Sequence, residues 1–224
     1  MSSSADSIRS GGEVKRFYPL LLDVSGRRCV VVGGGHVGTR KVRPLIEAEA
    51  DVVAISPDVS ETLEKWAKEG RLEWLQRTFV PTDLDGAYLV FGATNDAAVN
   101  RDVAEAAEKN GILFNNAMGP DGSDFHVPST VRRGGLTLTV STGGGSPAYA
   151  RLVRERLEDT FGPEHAEVVA LFEDLRARVM ERFPDNAARR RAFWKELVSW
   201  EMVDWVRDGN EKAIEERVTQ CLSS

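Results

Sequence analysis

The sequence VVVGGGHVGTRK, from Val30 to Lys41, constrains the fold of this chain most. A run of β-branched residues is typical of a strand that is buried on both faces of a parallel sheet. Three glycines, Gly33, Gly35 and Gly38, follow with the spacing Gly-x-Gly-x-x-Gly, and helix-forming residues come next. A strand that runs through a glycine-rich turn into a helix predicts the start of an α/β fold.

Strand-like and helix-like segments then alternate up to about residue 116. Short apolar strands are predicted at 51–56, 71–76, 87–95 and 112–117, and helices at 35–49, 61–69 and 97–110. This alternation predicts right-handed βαβ units and an open parallel sheet of the Rossmann type. We expect ligands of such a sheet to bind at the carboxyl ends of its strands.

The pattern changes beyond residue 116. A loop is predicted at 119–124, and a β-hairpin follows, with its turn at Arg133-Gly134-Gly135. The chain is almost entirely helix-forming after Pro147, with helices predicted at 148–161, 164–183, 186–208 and 211–221. The predicted organisation is a flexible leader over 1–16, a Rossmann-like domain over 17–116, a β segment over 117–146 and a helical domain over 147–224.

Composition narrows the class of protein. The chain has 29 Lys and Arg against 35 Asp and Glu, a net charge of −6, which argues against binding to nucleic acid. No apolar run approaches the roughly 20 residues that span a bilayer, and the polar N-terminus has no apolar signal core. Cys29 and Cys221 lie far apart and form no metal-binding or redox pattern. We therefore expect a cytoplasmic protein with neither a nucleic-acid nor a membrane partner.

The motif glycines predict a dinucleotide-binding loop. Gly33 permits the tight turn, Gly35 lets the backbone approach a pyrophosphate, and Gly38 lets the helix pack closely on the strand. The helix N-terminus then offers free N–H groups and a positive dipole end to the phosphates. His36 and Val37, inside the loop, are expected to line the cofactor cleft. The alternative is a glycine-rich turn that binds no ligand.

The ends of two further strands bear on the cofactor. Ser56, Pro57 and Asp58 stand where NAD-binding sites usually place an acidic residue for the ribose, and no Arg or Lys is there to pair with a 2′-phosphate. NAD is therefore favoured over NADP. Thr94 and Asn95 could contact the nicotinamide or its ribose, although the same residues could simply cap the next helix.

Several separated segments together resemble the siroheme synthase dehydrogenase/ferrochelatase family, the NAD-dependent precorrin-2 dehydrogenases. STGGGSPAYARLVRERLE is the most specific of them, and RRRAFWKELV is similar to the family's C-terminal helical region. The other matching segments, which occur in the family's order, are FYPLLLDVSGRRCVVVGGGHVGTRKV, AISPDV, FGATNDAAVN and NNAMGPDGSDFHVPS. Together they cover most of residues 17–160.

The resemblance implies a reaction, an assembly and a substrate site. The reaction is oxidation of precorrin-2 to sirohydrochlorin with NAD as hydride acceptor, and some members also insert iron to give sirohaem. The family is homodimeric, and the β segment over 117–146 is expected to mediate dimerisation. The substrate-binding residues implied are Thr142, Gly143, Ser146, Arg151 and Arg154. Thr142 also matches a serine that is phosphorylated in some members, and the arginines could instead form a solvated charged face.

The chain departs from the family's pattern at the expected general base. An aspartate follows the fifth strand in the family, whereas Gly119 stands there in this chain. Asp121, Asp124 and His126 are the candidate replacements. A dehydrogenase without chelatase activity is the favoured interpretation. The alternatives are a bifunctional dehydrogenase and ferrochelatase, a non-catalytic protein that binds a tetrapyrrole or a dinucleotide, and an NAD-sensing regulatory domain.

Overall fold

Five parallel strands form the sheet that the alternating pattern predicts. They lie in the order β3-β2-β1-β4-β5, and every neighbouring pair is parallel. The strands are β1 (Arg28–Val32), β2 (Asp51–Ile55), β3 (Glu73–Leu75), β4 (Leu89–Gly92) and β5 (Leu113–Asn116). Because β2 and β4 flank β1 on opposite sides, the chain direction across the sheet reverses between β1 and β4, which is where ligands of such sheets bind.

The computed structural model describes residues 17–119 and 122–223. The chain divides into two compact units between Val127 and Pro128. The leader predicted over 1–16 and the candidate base Asp121 lie outside the described residues. Among the helices described, none is both long and apolar enough to cross a membrane.

Helices cover both faces of the sheet in the first unit. They are α1 (His36–Glu47), α2 (Glu61–Lys68) and α3 (Ala97–Asn110), and a 3₁₀ turn at Pro81–Leu84 precedes β4. Val31 packs with Val42 in one hydrophobic core, and Val30 packs with Val103 and Phe114 in the other. Successive residues of a strand point to opposite faces, so a continuous apolar run supplies both cores.

Both cysteines are buried as reduced thiols. Burial, with a smaller contribution from the negative charge of Asp51, raises the pKa of Cys29 to about 11. Burial also raises the pKa of Cys221, which lies in the core of the C-terminal helices. Because the thiolate is the reactive form of cysteine, neither side chain is suited to nucleophilic catalysis.

The second unit begins with the predicted hairpin. Strands β6 (Ser129–Arg133) and β7 (Leu136–Val140) pair antiparallel, and Gly134 adopts a positive φ of 54° in the two-residue turn between them. Such turns need backbone conformations that favour glycine. Five helices follow: α4 (Pro147–Thr160), α5 (Glu164–Arg182), α6 (Ala187–Leu197), α7 (Trp200–Arg207) and α8 (Glu211–Ser223).

The single helix predicted over 186–208 is wrong. Helix α6 ends at Leu197, and Val198 has an extended backbone with φ −73° and ψ 108°. The Ser199 hydroxyl then accepts a hydrogen bond from the Met202 N–H and caps a new helix. Serine competes well for this capping position, and that preference outweighs the continuous helical pattern of the sequence around it.

Candidate functional site

Three loops meet at the carboxyl edge of the sheet around the glycine motif. The Gly33 N–H donates to the Ile55 carbonyl at 2.9 Å, which ties the end of β1 to the end of β2. Gly33 has a φ of +119°, and a Cβ at this position would overlap the carbonyl group of Ala93, just after β4. A residue other than glycine would therefore push the first loop away from the neighbouring strand.

Gly34 joins the first loop to the loop that follows β2. A Cβ here would overlap the carbonyl oxygen of Asp58, and the Ser60 N–H donates to the Gly34 carbonyl at 2.9 Å. The Ser60 hydroxyl also lies 2.8 Å from the Thr39 hydroxyl on α1. Sequence reasoning missed Gly34 because the motif spacing assigns no role to the residue between its first two glycines. The three consecutive glycines were the available signal.

Gly35 and Gly38 face opposite kinds of surroundings, as the motif predicts. A Cβ at Gly38 would overlap the carbonyl oxygen of Gly33, so helix and strand approach one another as closely as their backbones permit. A Cβ at Gly35 would meet nothing within 4 Å. The backbone of Gly35 is therefore exposed and can be approached directly by a ligand.

The start of α1 provides an electropositive surface beside Gly35. No acidic residue occupies the first turn of this helix. The Thr39 N–H donates to the Gly35 carbonyl at 2.9 Å, whereas those of His36, Val37 and Gly38 donate to no acceptor in the described part of the chain. Free N–H groups and the positive end of a helix dipole bind phosphate. The residues present therefore fit the pyrophosphate of a dinucleotide.

The residues after β2 lie next to this loop. The Trp74 indole donates to the Ser56 carbonyl at 3.0 Å, which holds the end of β2 in place. Pro57 and Asp58 are exposed, and the backbone of Asp58 is the part that packs on Gly34. Asp58 thus lies beside the phosphate-binding loop, on the side of β1 away from β4, and its side chain is exposed.

The residues after β4 form a hydrogen-bonded turn. The Thr94 hydroxyl lies 2.9 Å from both the Asp96 carbonyl and Oδ1 of Asn100, and Nδ2 of Asn100 donates to the Thr94 carbonyl at 2.9 Å. Asp96 caps α3 by accepting from the Ala98 N–H. Asn95 is exposed at the tip of the turn. The geometry therefore gives Thr94 the structural role that the sequence left open, and it leaves Asn95 accessible to a ligand.

Two of the three candidate bases fall in the described part of the chain. The Phe114 N–H donates to Oδ2 of Asp124 at 2.9 Å, and the Asp124 N–H donates to the Phe114 carbonyl at 2.9 Å. The segment that contains Asp124 thereby lines the outer edge of β5. The ring of His126 lies 4.2 Å from the ring of Phe17, measured between centroids.

The predicted substrate-binding turn belongs to the second unit. The Ser146 N–H donates to the Thr142 hydroxyl at 3.0 Å, and the Ser146 hydroxyl caps α4 by accepting from the Tyr149 N–H. Gly143 and Gly144 both have positive φ, at 63° and 90°. The Thr142 hydroxyl thus stabilises the turn that leads into α4.

Two of the three arginines of α4 are paired with glutamates along the helix. Nε of Arg151 donates to Glu155 at 2.8 Å, and the hydrogen bond from Arg151 holds the pKa of that glutamate below its usual range. Arg154 pairs with Glu155 and Glu158. Arg133 donates to the carbonyls of Glu158 and Phe161 at the end of α4, so this cation stabilises the C-terminus of the helix. Within the part of the chain that the structure describes, no group of three or more His, Cys, Asp or Glu side chains is placed to hold a metal ion.

Comparison with known proteins assigns three consecutive regions to this chain. A family described as putative NAD(P)-binding matches residues 20–129, the central region of sirohaem biosynthesis proteins matches residues 133–160, and the sirohaem synthase dimerisation region matches residues 165–222. The first unit is therefore an NAD(P)-binding domain.

Curated relatives and a solved structure agree with these matches. The chain is 38% identical over 205 residues to a siroheme synthase of Methylobacillus flagellatus. The alignment covers 92% of this chain and 44% of the relative. It is also 38% identical over 207 residues to a siroheme synthase of Citrobacter koseri. That alignment covers 92% of this chain and 45% of the relative. The chain thus spans less than half the length of these relatives.

The fold matches that of the protein described as SirC, precorrin-2 dehydrogenase. The TM-score is 0.78 at 24% identity, and the match covers 93% of this chain and all of the other. The five-stranded parallel sheet, the small antiparallel pair and the C-terminal helices are shared by the two proteins. The three family regions follow one another along the chain, and the curated siroheme synthases match about nine tenths of it. This protein therefore belongs to the siroheme synthase family.

Proposed function

We propose that this protein oxidises precorrin-2 to sirohydrochlorin with NAD as hydride acceptor. The observation that carries the proposal is the phosphate-binding edge, where Gly35 is open to a ligand while Gly33, Gly34 and Gly38 hold the three surrounding loops in contact. Membership of the siroheme synthase family supplies the substrate class. The name of the structural neighbour supports the reaction.

Different residues of the first unit would bind different parts of the cofactor. The backbone of Gly35, His36 and Val37 would hold the pyrophosphate at the start of α1. Ser56 and Pro57 would line the ribose pocket, and Thr94 and Asn95 would bound the nicotinamide half. When bound, NAD supplies the acceptor for the hydride that leaves the substrate.

Asp58 supports NAD over NADP. Its backbone packs on Gly34 of the phosphate-binding loop, and its exposed carboxyl would accept hydrogen bonds from the ribose hydroxyls of NAD. A 2′-phosphate at this place would meet a like charge. No Arg or Lys occurs between Ser56 and Asp58 to compensate.

The second unit would supply the binding surface for the carboxylates of the tetrapyrrole, through Thr142, Gly143, Ser146, Arg151 and Arg154. The ion pair between Arg151 and Glu155 lies on an exposed helix surface, where water screens such pairs and they contribute little. A carboxylate of the substrate can therefore replace Glu155 at little cost.

Dimerisation belongs to the same proposal. The sirohaem synthase dimerisation region matches residues 165–222, which form α5 to α8. We therefore propose a homodimer that uses these helices in addition to the β segment over 117–146.

The first prediction concerns turnover. Purified protein given precorrin-2 and NAD should form NADH, measured by absorbance at the reduced nicotinamide band. NADP should be at least about tenfold poorer in kcat/KM, because about 1.4 kcal/mol of like-charge repulsion suffices for that ratio. Asp58→Asn should narrow the preference by weakening NAD and relieving the repulsion of NADP.

Binding without turnover would contradict the proposed activity. If the protein binds NAD and sirohydrochlorin tightly but forms no NADH, the non-catalytic alternative is correct. A preference for NADP would contradict the role of Asp58 alone and leave the dehydrogenase proposal standing.

The second prediction compares two glycines of one loop. Gly35→Ala should raise the Kd for NAD at least about tenfold, because the methyl group stands where the pyrophosphate approaches. Its effect on stability should stay within about 1 kcal/mol, the usual range for a change at a helix N-cap. Gly38→Ala should instead lower the free energy of unfolding by about 2 kcal/mol or more, because the methyl group overlaps the Gly33 carbonyl.

Calorimetric titration with NAD and denaturant unfolding of the same two variants separate these effects. Gly26→Ala is a matched control, because its Cβ also meets nothing within 4 Å although it lies before β1, at the opposite edge of the sheet. Its positive φ makes some loss of stability expected, but its Kd for NAD should be unchanged. Normal NAD affinity in Gly35→Ala would show that the loop does not hold the pyrophosphate.

The third prediction concerns the proton that leaves as the substrate is oxidised. We propose that the base is Asp121, Asp124 or His126, with Asp124 presenting a carboxylate that is only partly engaged by the Phe114 N–H. Asp121→Asn, Asp124→Asn and His126→Gln should be assayed separately for kcat. The variant that removes the base should lose about a hundredfold or more, the usual contribution of a positioned base, with its Kd for NAD unchanged. If none of the three slows turnover, the base lies elsewhere.

A further inference from the structure

Lys41 is a half-buried cation that has no counter-ion among the residues that the structure describes. Its ammonium lies 5.3 Å from the centroid of the Phe91 ring, and Phe91 is packed edge-on against Phe125 at 5.4 Å. No hydrogen bond or ion pair of Lys41 occurs among residues 17–119 and 122–223. The helix itself offers none, since Val37 and Leu45 occupy the positions four residues away on either side.

Unlike Lys41, three lysines in the described part of this chain form ion pairs at the surface. Lys65, Lys68 and Lys212 are exposed, and each pairs with a glutamate four residues along its helix. Lys41 lies instead against the buried ring of Phe91. Loss of hydration, with a smaller contribution from the charge of Arg40, lowers the pKa of Lys41. A partly desolvated charge without a partner is unfavourable, and a methionine would fill the same volume without that cost.

The position of Lys41 separates it from the pyrophosphate. Five residues after His36, it lies about 7.5 Å further along the helix axis. Its ammonium lies over a residue of β4, whereas Asp58, the proposed ribose contact, follows β2 on the other side of β1. Lys41 is therefore on the half of the edge that faces the reacting end of a bound dinucleotide.

The Phe91 ring, over which the Lys41 ammonium lies, is itself held in place by its neighbours. Asn115 lies opposite Phe91 in the pairing of β4 and β5, and its Nδ2 donates to the Phe125 carbonyl at 2.7 Å. Asn115 is only 4% exposed, and its Oδ1 has no hydrogen-bond partner among the described residues. The cation thus lies against an aromatic ring that is held in place, and none of the described residues supplies an anion there.

We propose that Lys41 binds a carboxylate of the tetrapyrrole substrate. The inference rests on the proposed function and adds a substrate contact within the first unit. The oxidised nicotinamide ring is cationic, so the anion that reaches Lys41 comes from the substrate. Ammonium binds carboxylate by a charge-assisted hydrogen bond, which is stronger where water is partly excluded.

The test uses Lys41→Met, which keeps the length of the side chain and removes the charge. The KM for precorrin-2 should rise about tenfold while kcat changes little, because the variant loses a charge-assisted hydrogen bond that holds the substrate equally before and during the reaction. The Kd for NAD should stay unchanged. Lys41→Arg should recover most of the affinity, since it restores the positive charge.

Arg43→Met is the matched control. Arg43 lies on the same helix, with its guanidinium 5.1 Å from the centroid of the Trp66 ring, so this change also removes a cation from an aromatic face. It should leave the KM for precorrin-2 unchanged. An unchanged KM in Lys41→Met would overturn the inference, and a raised Kd for NAD would show that the cation serves the dinucleotide instead.

Failure of the proposed function can be told apart from failure of this inference. If the wild-type protein forms no NADH, the same proteins can be titrated with sirohydrochlorin and followed by quenching of tryptophan fluorescence. Weaker binding by Lys41→Met alone would then support the carboxylate contact without catalysis. Equal binding by all variants, or no binding by the wild type, would overturn it.

Discussion

The close approach of the β1–α1 loop to its neighbours is the constraint on which the rest of the site depends. Side-chain atoms at Gly33, Gly34 and Gly38 would overlap backbone groups of the β4 end, the β2–α2 loop and the first loop itself. Glycine removes those atoms, so three loops share one edge of the sheet. The cost is entropic, because glycine loses more backbone conformational freedom on folding than any other residue. What is gained is a helix N-terminus whose free N–H groups face an open surface beside Gly35.

The sheet places chemically different groups on either side of that surface. Asp58 follows β2, and Lys41 lies over β4, with the phosphate-binding loop between them. One side therefore suits ribose hydroxyls, and the other suits an anionic substrate. The overall charge of −6 gives no hint of this arrangement, because a single partly buried cation outweighs distant surface charges in local binding.

The sequence predicted the parallel sheet and the close backbone contacts of Gly33 and Gly38 because both depend on local pattern. Buried strands read as apolar runs, and a close backbone approach demands glycine whatever surrounds it. The break at Val198 and Ser199 was missed because a serine at this position can either continue a helix or cap a new one. The two conformations differ little in free energy, so the sequence pattern does not decide between them. Gly34 and Ser60 were missed because their partners, Asp58 and Thr39, are distant in sequence and come into contact only when the loops assemble. The same holds for Arg133, because only the fold shows the carbonyls of Glu158 and Phe161 to which it donates.

The measurement that tests this account most directly is amide hydrogen exchange with and without NAD. Because the free N–H groups at the start of α1 would bind the pyrophosphate, NAD should slow exchange in the segment 34–39. Exchange in the 3₁₀ turn at Pro81–Leu84, at the amino edge of the same sheet, should not change. Unchanged exchange at 34–39 under saturating NAD, or equal slowing at both edges, would contradict the assignment of the glycine loop as the dinucleotide site.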